Sequence, residues 1–318
     1  VSGFPDLSEV EGSRTKDMKL TATIIVVIAS TLVACSRWPD PPAVDQAKYQ
    51  AGHATWLADQ DELVSEVLPI VGIWPLAEGE TAFGADTDLP IVLPAAGTGR
   101  AGVFRRQGTT ITVVPEAGAG LRTFDGRPID RDMEIDGELR LGSLRMSIAG
   151  AGDGRLWVSA SDEQHPAVSN PPTVEAYPLD PRWRVAARFD PFDKPKPVRV
   201  PDVRGGTMDF TAMGQLVFRV NGQEMRLTAL GEPGSEQFFV MFKDPTNQTT
   251  TYGGYRILTP AVVATGEWTV VDFNYASNPP CAYSKYTVCP LPPPENRLPM
   301  AVEAGLKRLP SAQGYSPS

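Results

Sequence analysis

The sequence predicts a mainly β protein: an antiparallel β-sandwich or barrel with an N-terminal helix and a Pro-rich C-terminal wrap. Three observations predict it. Between about residues 70 and 275, short alternating or fully apolar runs are broken at regular intervals by turn residues. The 31 prolines and 29 glycines are scattered through the chain rather than clustered, which suits strands joined by turns better than long helices. One segment, 216–227, spells out a complete hairpin. With 42% hydrophobic and 21% charged residues, the 318-residue chain has a globular composition and enough length to bury a substantial core.

The front end reads as an export signal. Met18-Lys19 is a short positive start, and Leu20 to Ala34 is a weakly polar to apolar run ending in Leu32-Val33-Ala34-Cys35. A spanning helix needs about 20 apolar residues. This run is shorter, and a signal-peptide core of about 7–15 residues fits it. Leu-Val-Ala-Cys resembles the lipobox of bacterial lipoproteins. That resemblance implies a diacylglycerol on Cys35, cleavage before it, and stable anchoring through more than one acyl chain. The expected organisation is therefore residues 1–17 as leader or over-long start, 18–34 as lipoprotein signal peptide, 35–42 as a stiff proline-rich tether, and 43–318 as a single β-rich domain. Ser36 after the cysteine implies an outer-membrane lipoprotein facing the periplasm, if the source is Gram-negative. The part from Cys35 onward holds 26 basic and 34 acidic side chains, a net charge of −8. A chain of that sign with no basic stripe excludes nucleic acid as a partner.

The expected helix follows. Val44, Ala47, Ala51, Ala54, Ala58, Val64 and Leu68 fall near 3.6-residue spacing and define one apolar face. Asp40-Pro41 suits its start, Pro69 ends it, and His53 lies off the apolar face, solvated. Strands are expected at 89–93, 101–106, 110–114, 138–141, 144–148, 155–159, 183–189, 198–200, 207–212, 215–220, 223–230, 237–242, 252–258 and 267–273. In the hairpin, Asn221-Gly222 is the preferred type I′ turn pair, because both positions need positive φ. A two-residue loop then sets Val220 opposite Gln223, Arg219 opposite Glu224, Phe218 opposite Met225 and Leu216 opposite Leu227, with opposite charges on one face and apolar partners on the other.

Several signals resemble chemistry without carrying it. Gly97-Thr98-Gly99-Arg100-Ala101-Gly102 matches a dinucleotide fingerprint, but strand and turn follow it instead of the helix whose amides would hold the pyrophosphate. The two histidines, His53 and His165, are far apart, and neither H-E-x-x-H nor Cys-x-x-Cys occurs, so no metal site or cofactor is expected. Asp162-Glu163-Gln164-His165-Pro166 is a polar loop with groups able to supply an acid or base but reads better as a solvated loop, and Asn247-Gln248-Thr249 reads as a turn.

The densest polar stretch runs from Phe242 to Glu295. It holds Phe242-Lys243-Asp244-Pro245-Thr246, Thr251-Tyr252-Gly253-Gly254-Tyr255-Arg256, Asp272-Phe273-Asn274-Tyr275, Asn278-Pro279-Pro280-Cys281-Ala282-Tyr283 and Cys289-Pro290-Leu291-Pro292-Pro293-Pro294-Glu295-Asn296. This ordered series resembles domain-of-unknown-function family 1684, and the resemblance extends over about residues 45–310. It implies kinship without chemistry, since the family has no established activity.

From the residues themselves, Cys281 and Cys289 are the only cysteines besides Cys35. Behind an export signal they suggest a disulfide, with a redox-active pair, or two thiolates awaiting a metal for which no nearby histidines exist in the sequence, as the alternatives. If the proline segment wraps across strand ends, Tyr252, Arg256, Asp272, Asn274, Asn278, Tyr283 and Glu295 converge. Such a set suits a small polar ligand such as a carboxylate or sugar, or else a buried hydrogen-bond network pinning the loop. The expected function is an exported, membrane-anchored envelope lipoprotein with a ligand-binding or structural β-domain. The alternative is a hydrolase using Asp272 or Glu295 as acid/base and Arg256 to orient an anion.

Overall fold

The computed structural model describes residues 38–93, 97, 99–150, 154–203 and 205–310. The signal and lipobox, the Cys35 end of the tether, and Thr98 of the glycine-rich loop lie outside these residues. The described chain from Trp38 onward forms one compact unit, mainly β and largely antiparallel, in which two β-modules have separate hydrophobic cores.

Helix α1 (Gln46–Val67) comes first. Its N-cap is Asp45, whose carboxylate accepts from the Lys48 amide at 3.0 Å, so the helix starts five residues later than Asp40-Pro41 suggested. Of the face expected to be buried, only Val64 and, in part, Leu68 turn inward. Val44 is 41% exposed and Ala47, Ala51, Ala54 and Ala58 face solvent, whereas His53, Val64 and Val67 are buried and Trp56, Leu57 and Leu63 pack beside them. Alanines offer little area to remove from water, so the stripe carrying Trp, His and the larger aliphatics turns inward instead. His53, expected in solvent, is only 7% exposed.

The first module, residues 70–162, holds β1 (Ile70–Leu76), β2 (Gly79–Gly84), β3 (Ile91–Val92), β4 (Arg100–Gln107), β5 (Thr110–Pro115), β6 (Leu121–Thr123), β7 (Met133–Glu134), β8 (Glu138–Leu141), β9 (Leu144–Gly150) and β10 (Leu156–Asp162). They form two five-stranded sheets, ordered β1-β10-β9-β8-β6 and β3-β2-β4-β5-β7. Phe83, Phe104 and Val113 of one sheet share a core with Leu139, Met146 and Val158 of the other, a sandwich arrangement. The glycine-rich stretch leads into strand β4, the expected strand and not a helix. Strands β1, β2, β6 and β7 have no counterpart in the sequence reading.

The second module holds β11 (Arg184–Pro201), β12 (Thr207–Val220), β13 (Gln223–Leu230), β14 (Val240–Phe242), β15 (Arg256–Leu258) and β16 (Trp268–Asp272). A four-stranded sheet runs β13-β12-β11-β16, and β14-β15 form a separate pair. The β12–β13 hairpin has the register the turn dictated: Val220 opposite Gln223, Arg219 opposite Glu224, Phe218 opposite Met225 and Leu216 opposite Leu227. Asn221 and Gly222 take φ of 51° and 79°, as a type I′ turn demands. The expected pairs of short strands at 183–189 and 198–200, and at 207–212 and 215–220, are instead two long strands. They carry through the irregularity between Pro191 and Lys196 and form an arm beyond the sheet.

The proline-rich segment wraps this module. At one end Val203 N donates to Cys289 O (3.0 Å) and Leu291 N to Pro201 O (2.7 Å); at the other, Lys243 N donates to Asn296 O and Leu298 N to Lys243 O, both at 2.8 Å. The tether is no free spacer either. Trp38 Nε1 donates to Ala186 O at 3.0 Å, and its ring stands edge-on to Trp268 at 4.8 Å with the Arg219 guanidinium over it. A large aromatic gains more by docking on the sheet than by standing in water.

Candidate functional site

The expected polar cluster divides into four places, and the first is a buried ion pair. Arg256 faces Phe242 across β14–β15. Its Nη2 donates to Asp244 Oδ2 at 2.5 Å and to Val302 O at 2.9 Å, while Nη1 donates to Ala304 O. Both side chains of the pair are 0% exposed, and the guanidinium lies over the Phe242 ring, 5.0 Å from its centroid. Burial pulls the Arg256 guanidinium down from its ordinary range, and Asp244 opposes that pull. Asp244 also caps the turn Pro245–Gln248: its Oδ1 accepts from Thr246 N (2.9 Å), and Asn247 Oδ1 accepts from Asp244 N (2.7 Å). The Asn247 segment is thus a turn, as read. A third bond, from Val302 N to Asp244 Oδ1 (3.1 Å), ties the C-terminal segment to the same carboxylate. Beside it Gly305 has φ of 73°, and a Cβ there would stand 2.5 Å from Ala276 O, so only glycine allows this approach. Arg256 is therefore a structural clamp with no access to a ligand.

The second place is the end of β16. Asp272 Oδ2 accepts from the Tyr49 hydroxyl of α1 at 2.8 Å, and Oδ1 accepts from Asn274 N and Nδ2 at 3.1 and 3.0 Å. Asn274, 1% exposed, bridges to Asp180: its Nδ2 donates to Asp180 O and its Oδ1 accepts from Asp180 N, both at 3.0 Å. His53 Nε2 lies 3.2 Å from Asn274 O, and its ring packs on Trp56 and Tyr275. Burial pushes the Tyr49 phenol above its ordinary range, helped by Asp272, and pulls the His53 imidazole down. These groups dock the helix on the second module with their hydrogen bonds met.

The third place holds the cysteines. Cys281 and Cys289 are buried free thiols, so the expected disulfide is not formed in this structure. The Cys281 amide donates to Cys289 Sγ at 3.2 Å and the Tyr252 hydroxyl to Cys281 Sγ at 3.7 Å. The hydrogen bond to Cys289 pushes the Cys281 thiol up, and the same bond pulls Cys289 down. Tyr255, 1% exposed, is pushed well up by burial beside the pair.

Next to this cluster opens a cleft of about 480 Å³, between Leu68 after α1, Ile70 and Val71 of β1, His165, and the segment Tyr283–Tyr286. Tyr283 is 1% exposed. Its hydroxyl interacts with the Asn278 side chain, but neither that hydroxyl nor Asn278 Oδ1 makes a well-aligned hydrogen bond, while Asn278 Nδ2 donates to Lys307 O at 2.9 Å. Burial pushes the Tyr283 phenol up to about 12. His165 Nδ1 accepts from Ala167 N at 3.2 Å as cap of the short helix α2 (Pro166–Ser169). A neutral ring there carries its proton on Nε2. Of the loop at Asp162–Pro166, His165 and Pro166 line the cleft, while Gln164 faces solvent as expected. Orphaned buried polar groups are rare in native proteins and point to a missing partner.

The fourth place is Glu295, whose Oε1 accepts from the Thr228 hydroxyl at 3.0 Å. Thr228 lies on β13 and Asp272 on β16, the two edges of the four-stranded sheet. Three strand spacings separate them, roughly 14 Å. The register adds an offset from Arg184 to Asp190 along β11, roughly 20 Å more. Asp272 and Glu295 do not share a reaction centre, and Arg256 can serve neither. Among the described residues, no group of three or more His, Cys, Asp or Glu side chains could hold a metal ion.

Sequence reading noted Asp244, Asn247, Asn296 and His165 without assigning them to the site, although the first three carry the network and His165 lines the cleft. Asp-Pro-Thr-Asn is a legible turn signature; the burial of its cap was not.

Residues 172–307 match the family described as Protein of unknown function (DUF1684), a shorter span than the 45–310 that the resemblance suggested. The first module lies before this match. Among solved structures, the chain is similar to an uncharacterized protein of Haloarcula marismortui studied by solution NMR. The two are 30% identical over 43% of this chain and 76% of that one, with a TM-score of 0.38. No curated protein matches the chain.

Proposed function

Starting from a chain that belongs, through residues 172–307, to the DUF1684 family, we propose that this protein is an exported envelope lipoprotein, anchored through Cys35, whose body binds a small polar ligand without chemistry of its own. The observation that carries the binding reading is an open cleft lined by His165 and Tyr283, whose buried hydroxyl makes no well-aligned hydrogen bond. Its volume of about 480 Å³ lies in the range of small-molecule sites. The hydrolase alternative has no comparable support, since its acid, base and anion-orienting residue lie apart.

Anchoring rests on the apolar run ending in Leu-Val-Ala-Cys. Among the described residues, no helix is long and apolar enough to cross a membrane. Cys35 is three residues from the docked Trp38, a reach of about 11 Å at most. Acylation would therefore hold the Trp38–Trp268 face, where Trp268 is 40% exposed, close to the bilayer. Tryptophans suit that interface. In an oxidising compartment the adjacent Cys281 and Cys289 thiols would close an intramolecular disulfide.

Two experiments test these readings. Cys35→Ala should move the protein from the membrane to the soluble fraction, and an unchanged membrane fraction counts against the anchor. A panel of sugars and small metabolites, screened by thermal shift, should yield a ligand whose shift is lost in Tyr283→Phe. The apo variant should change in stability by no more than about 1 kcal/mol, because the deleted hydroxyl makes only a poorly aligned contact with Asn278. A ligand that shifts wild type and variant alike would overturn the assignment of Tyr283.

A further inference from the structure

A second cleft, of about 470 Å³, lies on another side of the same module, between the β11 arm (Val198–Pro201) and the wrap Leu291–Arg297. Both ends of the wrap are fastened, at Pro201 and Val203 and again at Lys243, so its prolines stand as a stiff roof. Lys243 lines the cleft while its neighbour Asp244 turns inward to Arg256, the alternation of extended backbone.

Lys243 and Arg297 are directly paired in a parallel bridge, with hydrogen bonds from Lys243 to the residues on either side of Arg297. Residues paired in this way project from the same face, so two cations are held side by side, an arrangement that destabilises unless something offsets it. Among the described residues nothing does. Among the described residues neither Lys243 nor Arg297 forms an ion pair or a side-chain hydrogen bond, in a molecule where most other arginines that line surfaces have a carboxylate. Arg199, also on the cleft, is paired with Asp209 at 2.8 Å. Glu295 lines the cleft too, but its Oε1 accepts from Thr228 and it lies beyond ion-pair distance of both cations. Lys243 is half-buried, and burial together with Arg297 pulls its ammonium below the ordinary lysine range. The remaining walls are apolar, from Val198, Val200, Leu291 and the prolines.

We infer that this cleft binds a small oxyanion carried on an apolar body, with the carboxylate or phosphate group on Lys243 and Arg297 and the body under the proline roof. The site is separate from the Tyr283 cleft and does not depend on it. Two adjacent cations without a counter-charge are what an anionic ligand would complete, and a half-desolvated ammonium binds an anion more strongly than a solvated one.

Calorimetric titration of the full mature chain at low salt tests the inference with three aromatic probes of one size: phenyl phosphate, benzoate and neutral benzyl alcohol. One of the two anions should bind at least tenfold more tightly than benzyl alcohol, the better one identifying the headgroup, and raising the salt should weaken it. Lys243→Met should reduce that affinity at least tenfold, Lys243→Arg should retain most of it, and Arg199→Gln should change it less than threefold. Thermal unfolding of Lys243→Met should show no loss of stability, since it relieves a like-charge contact. Equal affinity for the anions and the alcohol, or undiminished anion binding by a folded Lys243→Met, would overturn the site. If Lys243→Met does not fold, Arg297→Gln replaces it, and undiminished binding there would overturn the site equally.

Discussion

Arg256→Ala is expected to destabilise the protein by about 3–5 kcal/mol, because it leaves Asp244 as an unpaired charge inside the core. The side chains of both residues are 0% exposed, so no water can replace the guanidinium without rearrangement. The substitution also takes donors from Val302 O and Ala304 O, which lie on the segment that closes the apolar core. Denaturant unfolding followed by tryptophan fluorescence measures the loss, and limited proteolysis should cut first between residues 298 and 310. The double variant Arg256→Met/Asp244→Asn leaves no buried charge and should lose less than the two single changes together. A folded Arg256→Ala with a loss under about 1 kcal/mol would refute the clamp, because a broken buried pair costs several times that.

Asn296→Ala is the second large effect, expected at about 3 kcal/mol or more. The amide of this residue, 1% exposed, accepts from Thr228 N (2.7 Å) and donates to Thr228 O (2.9 Å) and Met241 O (2.8 Å). It thereby serves three backbone groups, two at Thr228 on the edge strand β13 and one at Met241 in the middle of β14. Each buried group left unpaired costs about 1–3 kcal/mol. Asn296→Asp keeps the shape but loses both donors and adds a charge, so it should be at least as damaging. The measurement is the unfolding midpoint of each variant against wild type. Asn296→Asp as stable as wild type would mean that the two donated bonds contribute nothing.

Both residues show how a polar cluster can be legible while its purpose is not. Residue types and spacing marked Arg256, Asn274, Asn278 and Tyr283 as one polar cluster under the wrap, and the structure divides them among separate places. Whether such groups face a ligand or each other depends on burial, which one chain's polarity pattern does not encode. Asp244 decided the case of Arg256. It lies twelve residues away in sequence and is brought adjacent only because Phe242 and Arg256 pair across β14–β15. Asp272 and Glu295 went the other way, placed on opposite edges of one sheet by its strand order.

Local interactions were determined by the sequence alone. The type I′ hairpin at Asn221-Gly222, with every partner in register, needs only two positive φ angles and a period of two. The β-rich class and the end of α1 before Pro69 likewise follow from neighbours in the chain. The tertiary structure alone decided which face of α1 is buried, that His53 is enclosed, that two β-modules carry separate cores, and where two clefts remain open. These outcomes depend on the area each side chain can remove from water against elements distant in sequence, and on which polar groups find partners there. Short-range pattern carries no record of either.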